Sequence, residues 1–297
     1  MFNLQGIYAP IPSVFQNDEL ALGKLADNMT FWLESKLSGI VVLGSNGEFI
    51  VLSPEEKRKS ISAVCKLSKG RKPVIAGTGC ESTKETIEST KYAAQAGAAA
   101  ALVLSPNYYK RAMTDELNKK FYIEVADESP IPIILYNMPG NSGINLSSKL
   151  VAELAKHPNI IGIKDSGGNI VQIAEIINAT SSEFAVFAGS ASFLYPSLAL
   201  GAAGGTLALA NVLPNECAEI HELVLAGKHH QAKGLQLRLL DINQAVTTRW
   251  GVAGLKAALE MQGLYGGELR RPLLSLGEQE RKELAVILEK AKNLVSA

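Results

Sequence analysis

Cysteine is scarce in this chain of 297 residues: Cys65, Cys80 and Cys217 stand far apart, and no CxxC pair occurs. A disulfide framework and a cysteine-built zinc site are thereby disfavoured, and a reduced, cytoplasmic setting is expected. An excess of charge is missing too, because 29 basic residues balance 29 acidic ones. No basic face is implied, so nucleic acid is not an expected partner. No uninterrupted apolar run reaches the ~18 residues of a membrane span. The opening MFNLQGIYAPIPSVF has neither the basic start nor the continuous apolar stretch of a signal peptide. The motifs of other chemistries are absent as well: no GxxxxGK(S/T) phosphate loop, no HExxH pair, no GxSxG elbow. The GTGCES run at 77–82 lacks the third glycine of a dinucleotide fingerprint and reads as a tight turn. His221, His229 and His230 fall in a helical region and are expected to be solvated, so no metal site is expected.

What is present is apolar bulk, with 47% hydrophobic and 20% charged residues, enough for a large core. Short apolar runs occur at Gly6–Tyr8, Ile40–Leu43, Val74–Ala76, Ala101–Leu104, Ile133–Tyr136, Ile160–Lys164, Phe184–Ala188 and Gly204–Ala208. They are continuous, not alternating, so both faces of each strand should be buried, as in a parallel sheet covered by helices. Between them lie helix signals. Ser53-Pro54-Glu55-Glu56 combines an N-cap, a first-turn proline and a capping-box glutamate, followed by the stripe Ile61, Val64, Cys65. Ser82 with Glu85 and Ser275 with Glu278 repeat the cap pattern, and Gly97 is an expected helix stop.

Eight strand–helix units over residues 1–225 are the number that closes a (β/α)8 TIM barrel, an α/β fold. An open doubly wound sheet is the structural rival. From about residue 211 the chain reads as helical almost throughout, with no further strand. Residues 226–297 are expected to form a C-terminal helical extension packed on the barrel.

In a barrel, chemistry sits where strands end and the following loops begin. Lys164 ends the apolar run Ile160–Ile163. Desolvation there disfavours the charged ammonium and favours a neutral amine, which can attack a ketone and form an imine. A surface lysine, or an ion pair with Asp165, is the plainer alternative. Tyr136 ends the preceding strand, where a phenol can exchange protons with a substrate oxygen or simply plug the barrel core. Gly44-Ser45-Asn46-Gly47 can turn its amides inward as a nest for a carboxylate, or be an ordinary turn. Ser45 there could hydrogen-bond Tyr136.

Taken together, GSNGE at 44–48, SPNYY at 105–109, YNMPGNSG at 136–143, IGIKDSGGN at 161–169 and GAAGGTLALAN at 201–211 resemble the dihydrodipicolinate synthase and N-acetylneuraminate lyase family. The resemblance runs from about Gly6 to Leu276. It implies a (β/α)8 barrel with a C-terminal helical domain, assembled as a homotetramer. It implies a Schiff-base lysine at Lys164, a proton-transferring tyrosine at Tyr136 and a relay hydroxyl at Ser45. The Ser45 and Asn46 amides would hold the pyruvate carboxylate. Tyr108 matches the tyrosine that reaches into a neighbouring subunit's site, with Tyr109 the competing assignment. Ser166, Gly189, Gly205 and Thr206 would line the pocket. No metal or organic cofactor is required, because the imine itself is the electron sink.

Substrate choice rests on the departures. Synthases of this family carry an arginine where this chain has Asn141, and an asparagine cannot offer a charged bidentate fork to the aldehyde's carboxylate. Within the family the chain most resembles the 4-hydroxy-2-oxoglutarate aldolases. Cleavage of 4-hydroxy-2-oxoglutarate to pyruvate and glyoxylate is therefore the expected reaction. Condensation of pyruvate with aspartate semialdehyde, a sugar-acid aldolase or dehydratase, and a 2-oxo-acid-binding regulatory protein are the alternatives.

Overall fold

Each apolar run forms a strand in the computed structural model, which describes residues 2–295. In chain order the strands are β1 (Gly6–Pro10), β2 (Phe15–Gln16), β3 (Glu19–Leu20), β4 (Gly39–Val42) and β5 (Val74–Gly77). They continue with β6 (Ala100–Leu104), β7 (Ile133–Asn137), β8 (Ile160–Asp165), β9 (Ala185–Ala188) and β10 (Gly204–Thr206). All except β2 and β3 join one closed barrel in sequence order. Closure is made by β1, which pairs in parallel with β4 through Tyr8 and Gly39 and with β10 through Gly6 and Gly204. A doubly wound sheet would leave two edges, so that rival is excluded.

Strand alternation sorts the core into two layers. Tyr8, Val41, Ile75, Leu102, Ile134, Tyr136 and Phe187 pack together in one cluster inside the barrel. Ile7, Ile40, Val42 and Val74 belong to a second cluster shared with the helices, and Val103, Leu135 and Ile163 to a third. Burying each such aliphatic side chain contributes about 1.5–3 kcal/mol. That explains why the runs are apolar at every position.

The helices alternate with these strands: α1 (Leu22–Glu34), α2 (Pro54–Ser68), α3 (Thr83–Ala96), α4 (Asp115–Glu128), α5 (Pro139–Ser142) and α6 (Ser148–Leu154). Then come α7 (Ile170–Ala179), α8 (Leu194–Ala199), α9 (Pro214–Leu225), α10 (His229–Arg238), α11 (Leu240–Gln244), α12 (Gly251–Glu260) and α13 (Glu278–Val295). Both halves of the Ser53–Glu56 capping box form at α2. Ser82 accepts from the Glu85 amide at α3, and Gly97 ends that helix in the left-handed region.

Other expectations are corrected. The last helix is capped at Gly277, not Ser275: the Gly277 amide donates to the Glu280 carboxylate, and the Arg281 amide to the Gly277 carbonyl. Residues 261–277 are not helical, because Gly263, Gly266, Gly267 and Pro272 interrupt the pattern. Glu268 in this segment instead makes an isolated bridge to Phe15. The β2–β3 hairpin was not anticipated. Its two-residue turn, Asn17-Asp18, has positive φ at both positions, the conformation that Asn and Asp tolerate best among side-chain-bearing residues. Of the three histidines expected to be solvated on helices, His229 and His230 are exposed, but His221 is buried. Desolvation lowers its pKa.

Leu43, the residue after β4, has φ of +60°. Its carbonyl is turned toward β5, where a Cβ on Gly77 would stand 2.1 Å from that oxygen. Glycine at 77 therefore permits the bend that launches the 44–48 loop. Gly77→Ala is expected to destabilise the protein by about 1–3 kcal/mol, as an earlier midpoint in urea denaturation. An unchanged midpoint would mean that the loop bends by other means.

Candidate active site

Lys164 and Tyr136 meet because β7 and β8 pair with these two residues in register. Both are buried, at 4% exposure each. The Lys164 Nζ stands 4.1 Å from the centre of the Tyr136 ring. Beneath Lys164 the barrel is packed with Leu4, Val41, Ile75, Leu102, Ile134 and Phe187, around about 10 Å³ of free space. That is room for one water at most.

The third member comes from across the barrel. Ser45 opens a 3-10 turn, Ser45–Gly47, entered from extended Gly44 and left through Glu48 in the left-handed region. This turn sets Ser45 Oγ 2.9 Å from the Tyr136 hydroxyl. Burial is the largest influence on the Tyr136 phenol and pushes its pKa up. The charge of Lys164 and hydrogen bonds from Ser45, Lys164 and Ser166 together outweigh it, so the net pKa lies below the ordinary value of 10.0. Such a phenol gives up its proton more readily than a free tyrosine.

The ion pair with Asp165 does not occur. Neighbours on a strand face opposite ways, and Asp165 is fully buried behind the site. Its carboxylate accepts from Asn137 Nδ2 at 2.7 Å, Gln172 Nε2 at 3.2 Å and the Gly167 amide at 2.8 Å. Asn137 Nδ2 also donates to Asn145, and the Asn137 side-chain Oδ1 accepts from the Leu146 amide. This network locks the outward sides of the strand ends that bear Tyr136 and Lys164. Sequence reasoning passed over it, although the signal was there: a polar residue directly follows each candidate, as Tyr136-Asn137 and Lys164-Asp165.

Ser166 joins the site through its contact with Tyr136. It sits in space that only a glycine leaves open, since a Cβ on Gly189 would lie 2.0 Å from Ser166 Oγ. Thr206 is buried and borders the space under Lys164. Gly205 does not face this space. A side chain there would meet Leu194 and Leu207, so this residue faces the helix layer. Asn46 is partly buried beside Ser45, whereas Asn141 is exposed in α5, toward the rim. Tyr108 and Tyr109 are exposed at 77% and 76%, their rings edge to face at 5.1 Å. Glu81 holds that loop by accepting from the Asn107 and Tyr108 amides.

A larger cavity of about 700 Å³ lies elsewhere, lined by Lys66, Lys69, Arg71 and Lys72 where α2 ends and β5 begins. It is at the opposite, stability face of the barrel. Its cations complement the helix C-terminus and bring no nucleophile or acid–base pair together.

A buried lysine at a strand end, a phenol of lowered pKa and a serine hydroxyl hydrogen-bonded to that phenol are groups suited to imine chemistry. The sequence profile of the dihydrodipicolinate synthetase family matches residues 3–291. A 4-hydroxy-tetrahydrodipicolinate synthase of Geotalea uraniireducens is 37% identical over 285 residues, spanning 96% of this chain and 98% of that protein. A probable mitochondrial 4-hydroxy-2-oxoglutarate aldolase of Emericella nidulans is 35% identical over 94% of this chain and 92% of that protein. The solved dihydrodipicolinate synthase of Acinetobacter baumannii, complexed with pyruvate, superimposes with a TM-score of 0.92 at 33% identity, covering 97% of this chain and 99% of that one. Most of the similar proteins are named as synthases, so the expected leaning to the oxoglutarate aldolases is not the majority among them. The chain is an enzyme of the class I, lysine Schiff-base lyases and aldolases. It belongs to the dihydrodipicolinate synthetase family.

The site's electrostatics can be read directly. Ultraviolet titration should show one tyrosine ionising below the ordinary range. That transition should vanish in Tyr136→Phe and move to higher pH in Ser45→Ala, because the serine hydrogen bond favours the phenolate. A Ser45→Ala titration identical to wild type would remove Ser45 from the relay.

Proposed function

We propose that this chain is a pyruvate-dependent aldolase that works through an imine on Lys164. The observation that carries the reading is the buried Lys164, in register with a Tyr136 that hydrogen-bonds Ser45. The Lys164 ammonium gives up a proton, the freed amine attacks C2 of pyruvate and water leaves, giving an imine whose protonated form accepts electrons from C3. Loss of a C3 proton yields the enamine, which adds to an aldehyde carbon. Tyr136, backed by Ser45, hands a proton to the new alkoxide; in the cleavage direction it takes that proton back. The Ser45 and Asn46 amides hold the pyruvate carboxylate, with Ser166, Gly189 and Thr206 around it. The electron sink is the imine, so the reaction requires no metal or organic cofactor.

Condensation with aspartate semialdehyde is the first reading of the second substrate. It is supported by the names of most relatives and by a cation at the rim. The Lys110 side chain lies across Gly143, with its Nζ 3.5 Å from where a Cβ would be, over the turn that carries Asn141. An ammonium there can attract an aldehyde's carboxylate in place of an arginine. Asn141 itself favours a second reading, cleavage of 4-hydroxy-2-oxoglutarate, in which the smaller glyoxylate leaves. We take the protein to act in the cytoplasm as a homotetramer, with Tyr108 projecting toward a neighbouring subunit.

Borohydride added with pyruvate should fix one adduct on Lys164, and Lys164→Ala should lose about 10³-fold or more in kcat. A substrate panel of aspartate semialdehyde, glyoxylate and sugar-acid aldehydes then ranks the readings. Asn141→Arg is expected to raise kcat/KM for the semialdehyde about tenfold or more, as a charge-assisted hydrogen bond contributes roughly 1.5–3 kcal/mol. Full activity in Lys164→Ala would overturn the imine reading.

A further inference from the structure

Behind the Ser45–Gly47 turn is a charged pair that the chemistry above does not use. Glu48 and Lys256 are exposed by only 3% and 1%, and the Lys256 Nζ lies 2.5 Å from Glu48 Oε1. The other Glu48 oxygen accepts from the Arg270 amide at 3.0 Å. Lys256 Nζ also donates to the Glu268 carbonyl at 2.6 Å and stands 4.7 Å from the Phe15 ring centre. The Arg270 guanidinium packs on the same ring at 4.5 Å and binds Glu56, the capping residue of α2. Both cations belong to the C-terminal extension, whereas Glu48 belongs to the loop after β4.

Glu48 holds an unusual backbone conformation for that position. Its φ is +51°, and it joins the 3-10 turn at 45–47 to a second at 49–51. Its own amide donates to the Ser45 carbonyl at 3.1 Å, and Ser13 Oγ donates to the Gly47 carbonyl at 2.7 Å. A non-glycine residue stays left-handed only where its surroundings over-determine it. Here one carboxylate oxygen is fixed by the hydrogen bond from the Arg270 amide, and the other, which has no hydrogen-bond partner, lies in ionic contact with Lys256 Nζ. Buried ion pairs are a poor source of stability, since apolar residues of similar size serve as well or better. What the pair supplies, and an apolar contact cannot, is direction.

From this geometry we infer that Glu48 and Lys256 are positioning residues: through them the C-terminal extension sets the angle of the Ser45–Asn46 turn toward the substrate carboxylate and toward Tyr136. The inference rests on the reading of that turn as the carboxylate clamp.

The test exploits the difference between stability and direction. Glu48→Met combined with Lys256→Met replaces both charges by apolar chains of similar length, so thermal stability should stay near wild type. If the pair positions the turn, KM for pyruvate rises about tenfold or more, and the Tyr136 transition in ultraviolet titration moves to higher pH. If the double variant keeps wild-type KM and the wild-type Tyr136 transition, the inference is overturned. Should that variant fail to fold, Lys256→Ala with added propylamine is used instead. Recovery of KM by the amine supports the inference, and a raised KM indifferent to the amine opposes it. Borohydride trapping of pyruvate on wild-type Lys164 tests the imine reading separately, so either can fail alone.

Discussion

The register between β7 and β8 is the constraint on which the site depends. It sets Tyr136 beside Lys164 on adjacent inward positions. A slip by one residue would turn Asn137 and Asp165 into the barrel and move the amine to the helix layer. Both faces of these strands are defended against that slip. On the inner face, apolar packing beneath Lys164 leaves little free space. On the outer face, the Asp165 carboxylate is satisfied by Asn137, Gln172 and the Gly167 amide, an arrangement available only in the observed register. An unpaired buried carboxylate would cost several kcal/mol, so the network and the site stand or fall together.

The C-terminal extension attends to the loops rather than to the strands. Gln236 of α10 donates to the Ala191 carbonyl and accepts from the Tyr195 amide, and Asn243 of α11 donates to Ser192 and Ser190. These contacts pin the segment after β9, next to Gly189. Lys256 and Arg270 pin the loop after β4. Two loops that approach the reacting atoms are thus held from outside by one helical layer. The barrel supplies the strand ends, and the extension supplies the attitude of the loops above them.

The barrel was legible in the sequence because its code is redundant. Every strand is an apolar run, and capping boxes such as Ser53–Glu56 mark helix starts independently of what they pack against. Lys164, Tyr136 and Ser45 could be singled out because strand ends are where such a fold exposes reactive groups. What escaped notice depends on partners distant in the chain. The Lys256–Glu48 pair spans the barrel and its extension, and nothing about Lys256 among the residues of α12 marks it as buried. His221 was misjudged for the same reason: a histidine on a helix looks solvated until the packing against the helix is known. Gly205 was assigned to the pocket from a motif, but strand alternation sends its face outward, and only the pairing of β10 with β9 fixes which of two successive glycines looks in.

The closed barrel has one more consequence. A parallel sheet that ends on itself offers no free strand to another molecule. Among the described residues the only other sheet is the β2–β3 hairpin, and Phe15 of that hairpin is bridged to Glu268. Among the described residues the barrel therefore offers copies of this chain no backbone ladder through which to join. Assembly through the barrel must be specified by side chains on helix faces and rim loops, where a single substitution can retune or abolish it without disturbing the strands. Quaternary structure in such a protein can diverge quickly while the chemistry stays fixed.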